Sequence, residues 1–151
     1  MFTSSINISV TAIETTVFQN IKIRQIYTRS ISIDTGFISS SFDITRNLNS
    51  LTLNSIKNLE SITVEIYGAY DEGAGVYING YYQYLVTSNW YDYQNNRYWG
   101  TRQINQSIID SLKHDNSNIL NIILRVYDPG GQGAGGGARG YFIFTITEIS
   151  P

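Results

Sequence analysis

Cysteine is absent from the 151 residues, which excludes disulfides and thiolate-held metals. Proline occurs only twice, at Pro129 and Pro151, and interrupts no candidate strand. Charged residues make up 15% of the chain, against the roughly one quarter usual for soluble domains. The net charge is −2, and Arg24, Arg29, Arg46, Arg97, Arg102, Arg125 and Arg139 are scattered rather than clustered. A phosphate backbone is held by several convergent cations, so nucleic acid is not an expected partner. No apolar run reaches the roughly 18 residues of a membrane helix, so no membrane insertion is expected. Met1 to Ile6 carries no basic stretch leading into an apolar one, so no signal peptide is visible. The chain then reads either as cut from a longer secreted protein or as made and assembled inside a cell. The single histidine, His114, stands in the polar turn Lys113-His114-Asp115-Asn116, and no pair among the 12 acids is set apart by context. No catalytic residue is assigned, and the chain is expected not to be an enzyme.

What remains is 42% hydrophobic residues in a length suited to one domain, 1–151. With so little charge, the surface is built from Ser, Thr, Asn, Gln, Tyr and Gly. Such a surface suits neutral polar partners or close lateral packing. Period-2 alternation dominates: 5–11, 17–27, 30–34, 37–44 and 51–53 each read as short half-buried strands. Asp34-Thr35-Gly36 is a turn signal. The strongest local signal is Asn79-Gly80 between Gly75-Val76-Tyr77-Ile78 and Tyr81-Tyr82-Gln83-Tyr84, which predicts a two-residue type I′ hairpin turn. Ile62, Val64, Ile66, Ile122, Leu124 and Val126 share faces by alternation and are the candidate core. Strands at this spacing, with one short helical turn near 106–113, predict an all-β fold: a two-sheet antiparallel jelly-roll sandwich.

The order Ile62-Thr63-Val64-Glu65-Ile66, acidic turn, strand, Asn79-Gly80, aromatic strand, short amphipathic turn (Ile109-Asp110-Ser111-Leu112), then Asn118 before the strand 119–128 resembles a known domain. It is similar to the non-catalytic sugar-binding jelly roll of glycoside hydrolases, within the galactose-binding-domain-like group. The resemblance covers about residues 61–128 and implies a fold and a carbohydrate-binding role. It carries over no sugar-contacting residue: its motifs are structural, the 70–75 connection is glycine-rich, and Ile104-Asn105-Gln106-Ser107 lacks the acid often found there.

The candidate ligand-binding residues are Trp90, Tyr91, Tyr93, Asn95, Arg97 and Trp99, in a loop where aromatics alternate with amides. Sugar rings want flat platforms for their C–H faces and amides, acids or guanidinium for their hydroxyls. The same side chains suit protein recognition, or simply line a sheet. Asp71, Glu72 and Asp128 are candidate calcium ligands at one end of the sandwich; they read equally as solvated turn acids. No other cofactor is expected. The glycine-rich stretch 128–140 lacks the Lys-Ser or Lys-Thr of a phosphate loop and reads as a long connection, a flap, or a segment that orders against a neighbouring subunit. The expected function is a non-catalytic module recognising a glycan or glycosylated surface, outside the cell, at a cell surface or on a virion. The alternative is a structural subunit of a virus particle or surface appendage, a homo-oligomer or a partner of other subunits.

Overall fold

The computed structural model describes residues 2–6, 21–70, 73–86, 98–128 and 136–151. Among these residues eleven strands run as β1 (Phe2–Ile6), β2 (Ile23–Asp34), β3 (Phe42–Asn47), β4 (Leu51–Thr52), β5 (Leu59–Tyr70), β6 (Gly73–Ile78), β7 (Tyr81–Val86), β8 (Tyr98–Gln103), β9 (Ile119–Leu120), β10 (Ile122–Asp128) and β11 (Ala138–Ser150). A helix, α1 (Gln106–Leu112), follows β8, and a 3-10 turn (Ile56–Asn58) precedes β5.

Pairing is antiparallel and nested. β6 pairs β7, β5 pairs β8, β4 pairs β9, β3 pairs β10 and β2 pairs β11. Strands β2 to β11 therefore nest as one long hairpin, with its tip at Asn79-Gly80, rolled over on itself. Rolling brings β11 beside β5 and β10 beside β6. The result is a five-stranded sheet β1-β2-β11-β5-β8 facing a four-stranded sheet β3-β10-β6-β7. This is the jelly roll that alternation predicts.

Alternation also decides what lies between the sheets. β10 buries every second residue, Ile122, Leu124 and Val126, and β5 buries Ile62, Val64 and Ile66. Phe142, Phe144 and Ile146 of β11 meet Val76 and Ile78 of β6 in the same core. Each such aliphatic or aromatic side chain gains about 1.5–3 kcal/mol by leaving water. All six candidate core residues lie in this layer.

The tip of the hairpin has the expected geometry: Asn79 at φ 47° and Gly80 at φ 89° give the I′ turn that only such residues accept easily. Asn79 does more than turn the chain. Its side-chain amide donates to the Ile119 carbonyl (3.0 Å) and accepts from the Asn121 N–H (2.7 Å), pinning the tip to the start of β10. α1 plugs one end of the sandwich with Ile109 and Leu112. The other notable closure is Glu148, fully buried at a register shift in the β5–β11 ladder. Its carboxylate accepts from the Tyr27 hydroxyl (2.8 Å) and from the N–H groups of Asn54 (3.2 Å) and Ser55 (2.7 Å), anchoring the 3-10 turn. Burial first, then this bond, raises the Tyr27 pKa.

Several boundaries differ from the sequence reading. The two segments ending at Tyr27 and Asp34 belong to one strand, β2, and the strand expected at 37–44 begins only at Phe42. Ile38 instead exchanges hydrogen bonds with Gly136 (2.7 and 2.8 Å), which holds it off the sheet. The strand expected over 5–11 is described only as far as Ile6.

Candidate binding face

The sandwich positions its most distinctive chemistry on the outside of the four-stranded sheet. Register aligns Thr45, Arg125, Gly75 and Tyr84 in one row across β3, β10, β6 and β7. The row on one side is Asn47, Ile123, Tyr77 and Tyr82, and on the other Asp43, Tyr127 and Gly73. The outward positions of β6 next to Tyr77 are thus glycines. Their missing side chains leave a trough that neighbouring rings enter. A Cβ on Gly75 would overlap the Tyr82 ring, and one on Gly73 would come within 3.0 Å of the Tyr127 hydroxyl. Close approach is the reason for glycine here.

The rings pack on one another. Tyr82 lies 4.7 Å from Tyr77, tilted by 45°, and 4.9 Å from Tyr84, edge-on at 81°. The Arg125 guanidinium sits 4.5 Å from the Tyr127 ring centre and 5.9 Å from that of Tyr82, within cation–π range of both. It also forks onto Asp43, Nε to Oδ1 at 2.8 Å and Nη2 to Oδ2 at 2.7 Å. That bidentate bond holds the Asp43 carboxyl below the usual carboxylate range and raises the Arg125 pKa. The Tyr82 hydroxyl is buried with no hydrogen-bond partner. Burial above all, with the neighbouring Tyr127, pushes its pKa up to about 12 against the pull of Arg125.

Between β3 and β7 on this face a cleft of about 450 Å³ opens. Tyr84 forms one wall, with 56% of its surface exposed, while Asp43, Arg125 and Tyr127 form the other. Ser41, Phe42 and Asp128 close the end. The arrangement offers flat ring faces beside a planar ion pair with both donors and acceptors.

The sequence-predicted site residues fall differently. Trp90, Tyr91, Tyr93, Asn95 and Arg97 lie outside the described residues, as do Asp71 and Glu72. Trp99, expected in a loop, belongs to β8 and is the register partner of Tyr67. Asp128, expected at the opening of a loop, is the last residue of β10, buried, and a wall of the cleft. Among the described residues no group of three or more His, Cys, Asp or Glu is placed to hold a metal ion, and no helix is long and apolar enough to cross a membrane. Sequence reasoning missed Tyr82, Tyr84, Arg125, Tyr127 and Asp43 as a set. A signal was there: Gly73, Gly75 and Tyr77 alternate along one strand and Tyr82 and Tyr84 along the next, putting bare backbone beside rings.

No protein-family model matches the sequence, and no curated protein does. Among solved structures, a chain in the structure of the infectious bursal disease virus Gt strain is similar, at 16% identity and a TM-score of 0.42. The match covers 93% of this chain and 41% of the viral one, so this chain spans less than half of that chain's length. A likeness of this degree speaks to neither family nor activity.

Proposed function

We propose that this chain is a non-catalytic recognition module that binds a neutral glycan on the outer face of its four-stranded sheet, at a cell surface or on a virion. One observation carries the reading: exposed Tyr84 and the Tyr127 ring line one cleft together with a neutralised Arg–Asp pair. Ring faces suit the C–H surface of a pyranose, and the ion pair suits its hydroxyls. The titratable groups favour binding over catalysis. Asp43 is held ionised by Arg125 and Tyr82 is held protonated by burial, so neither is poised for proton transfer near neutrality. The test is a glycan array with wild type and Tyr84→Ala, each checked for folding. Neutral glycans should bind the wild type and be lost by the folded variant. Binding that survives the substitution moves the site elsewhere, the 89–99 loop first.

A second reading, a structural subunit of a virus particle or appendage, draws on a different surface. The outer face of the five-stranded sheet carries Thr28, Ser30 and Ser32 beside Thr63 and Thr145, with the rings of Tyr67 and Tyr141 stacked at 4.8 Å. Small hydroxyls and little charge suit close lateral packing. Light scattering and electron microscopy of the purified chain discriminate: regular assemblies without glycan binding favour this reading.

A further inference from the structure

We infer that Asp43 sets the charge selectivity of the cleft, so that it admits neutral sugars and rejects those bearing a carboxylate. The inference rests on the glycan-binding reading above and concerns the same cleft. A guanidinium is the side chain best fitted to a sugar carboxylate, because its parallel N–H groups match the two oxygens. Arg125 is the cation on the walls of this cleft, and its side-on edge is already taken: Nε and Nη2 both donate to Asp43, whose charge neutralises it. One face of the guanidinium is covered by the Tyr127 ring. A sialylated or uronic ligand would therefore have to displace Asp43 or settle on the Nη1 end, and in either case its carboxylate lies close to that of Asp43 on a cation already neutralised. Asp128 at the end of the cleft adds no positive charge to offset this. A neutral ligand has no such conflict, since its hydroxyls can donate to Asp43 while the ion pair stays intact.

Asp43 is an exposed residue on β3, which is an edge strand, so its replacement leaves the core untouched. That allows selectivity to be tested apart from folding. The experiment is an array of matched oligosaccharides, each neutral structure printed beside its sialylated or uronylated counterpart, probed with wild type, Asp43→Asn and Asp43→Ser. Melting curves check each variant. The wild type should bind neutral members at least tenfold better than their acidic counterparts. Both variants should shift that ratio at least tenfold toward the acidic members, and adding Arg125→Gln to Asp43→Ser should abolish the gain. Equal binding of both classes by the wild type overturns the inference, as does an unchanged ratio in folded variants. So does a gain that persists without Arg125. A wild type that binds no glycan of either class overturns the functional reading itself, and this inference with it.

Discussion

On the five-stranded sheet the outward positions read Thr28, Ser30 and Ser32 on β2, Tyr141, Ile143 and Thr145 on β11, and Thr63, Glu65 and Tyr67 on β5. On the four-stranded sheet they read Gly73, Gly75 and Tyr77 on β6, with Tyr82 and Tyr84 on β7. Both sheets bury the same kind of β-branched and aromatic residues inward, so the core does not distinguish them. The outward residues do. Mostly short side chains give a level surface around one stacked pair of rings, whereas on the other face rings settle over glycine and leave a cleft between Tyr84 and the Asp43–Arg125 pair. Relief is what a small ligand needs, and a level surface is what another subunit needs. The two functional readings thus correspond to two sides of one sandwich.

The largest expected effect separates what holds the sheets from what decorates them. Glu148→Ala removes the buried acceptor that the Tyr27 hydroxyl and the N–H groups of Asn54 and Ser55 share, a loss of about 3 kcal/mol. Glu148→Gln keeps an acceptor and should lose less. Ser30→Ala on the level outer face should stay within about 0.5 kcal/mol of wild type. Chemical denaturation compares all three, and equal stabilities for Glu148→Ala and Ser30→Ala would mean that the buried carboxylate anchors nothing.

Next in size is Tyr84→Ala, which should leave the fold intact but cost about 2 kcal/mol of glycan binding, roughly thirtyfold in affinity. Tyr141→Ala provides the control. Tyr141 is 42% exposed, but its ring stacks on Tyr67 over the level face rather than lining a cleft. Titration calorimetry with an array-positive sugar should separate the two. Similar losses from both substitutions would erase the distinction between the faces.

Much of the scaffold was legible because it rests on local rules. Period 2 placed Ile62, Val64 and Ile66 on one inner face, and Asn79-Gly80 announced the hairpin tip through backbone preference alone. The binding face was not legible, because it is a product of register. Asp43 and Arg125 meet across 82 residues of sequence, and only the β3–β10 ladder brings them together. The density of aromatics and amides at 89–99 drew attention to a loop, while the tyrosines on β6, β7 and β10 acquire meaning only when those strands lie side by side. Glu148 is an intermediate case. Continuing the alternation of Phe142, Phe144 and Ile146 by two residues points an acid into the core, but its partners on β2 and before the 3-10 turn lie far off in sequence.

Gly75→Ala sharpens the comparison at lower cost. The added Cβ collides with the outer end of the Tyr82 ring, which can swing toward solvent. The expected destabilisation is about 1 kcal/mol, at the low end for overpacking. Displacing that ring should alter the near-ultraviolet circular dichroism of the tyrosines, whereas Ser32→Ala on the opposite face should not. A Gly75→Ala protein with unchanged spectrum and melting curve would mean that the trough is not filled as described.

The smallest effect concerns pH. Because Arg125 lowers the Asp43 pKa in the folded state, the pair stabilises the fold at pH values above the ordinary carboxylate range. That contribution fades as pH falls through the lowered folded value, where Asp43 takes up its proton. Asp43 is more than half exposed, so solvent screens the pair and the gain is only about 0.2–1 kcal/mol. Melting temperatures of wild type and Asp43→Asn should differ slightly and by a constant amount near neutrality. The gap should close on strong acidification, while the many carboxylates common to both proteins titrate in parallel. A gap that stays constant into strong acid would show that Asp43 acts through shape rather than charge, and would remove the electrostatic basis for selectivity in the cleft. A gap that closes, and that also shrinks in high salt, ties the same ion pair to stability and to the choice of ligand.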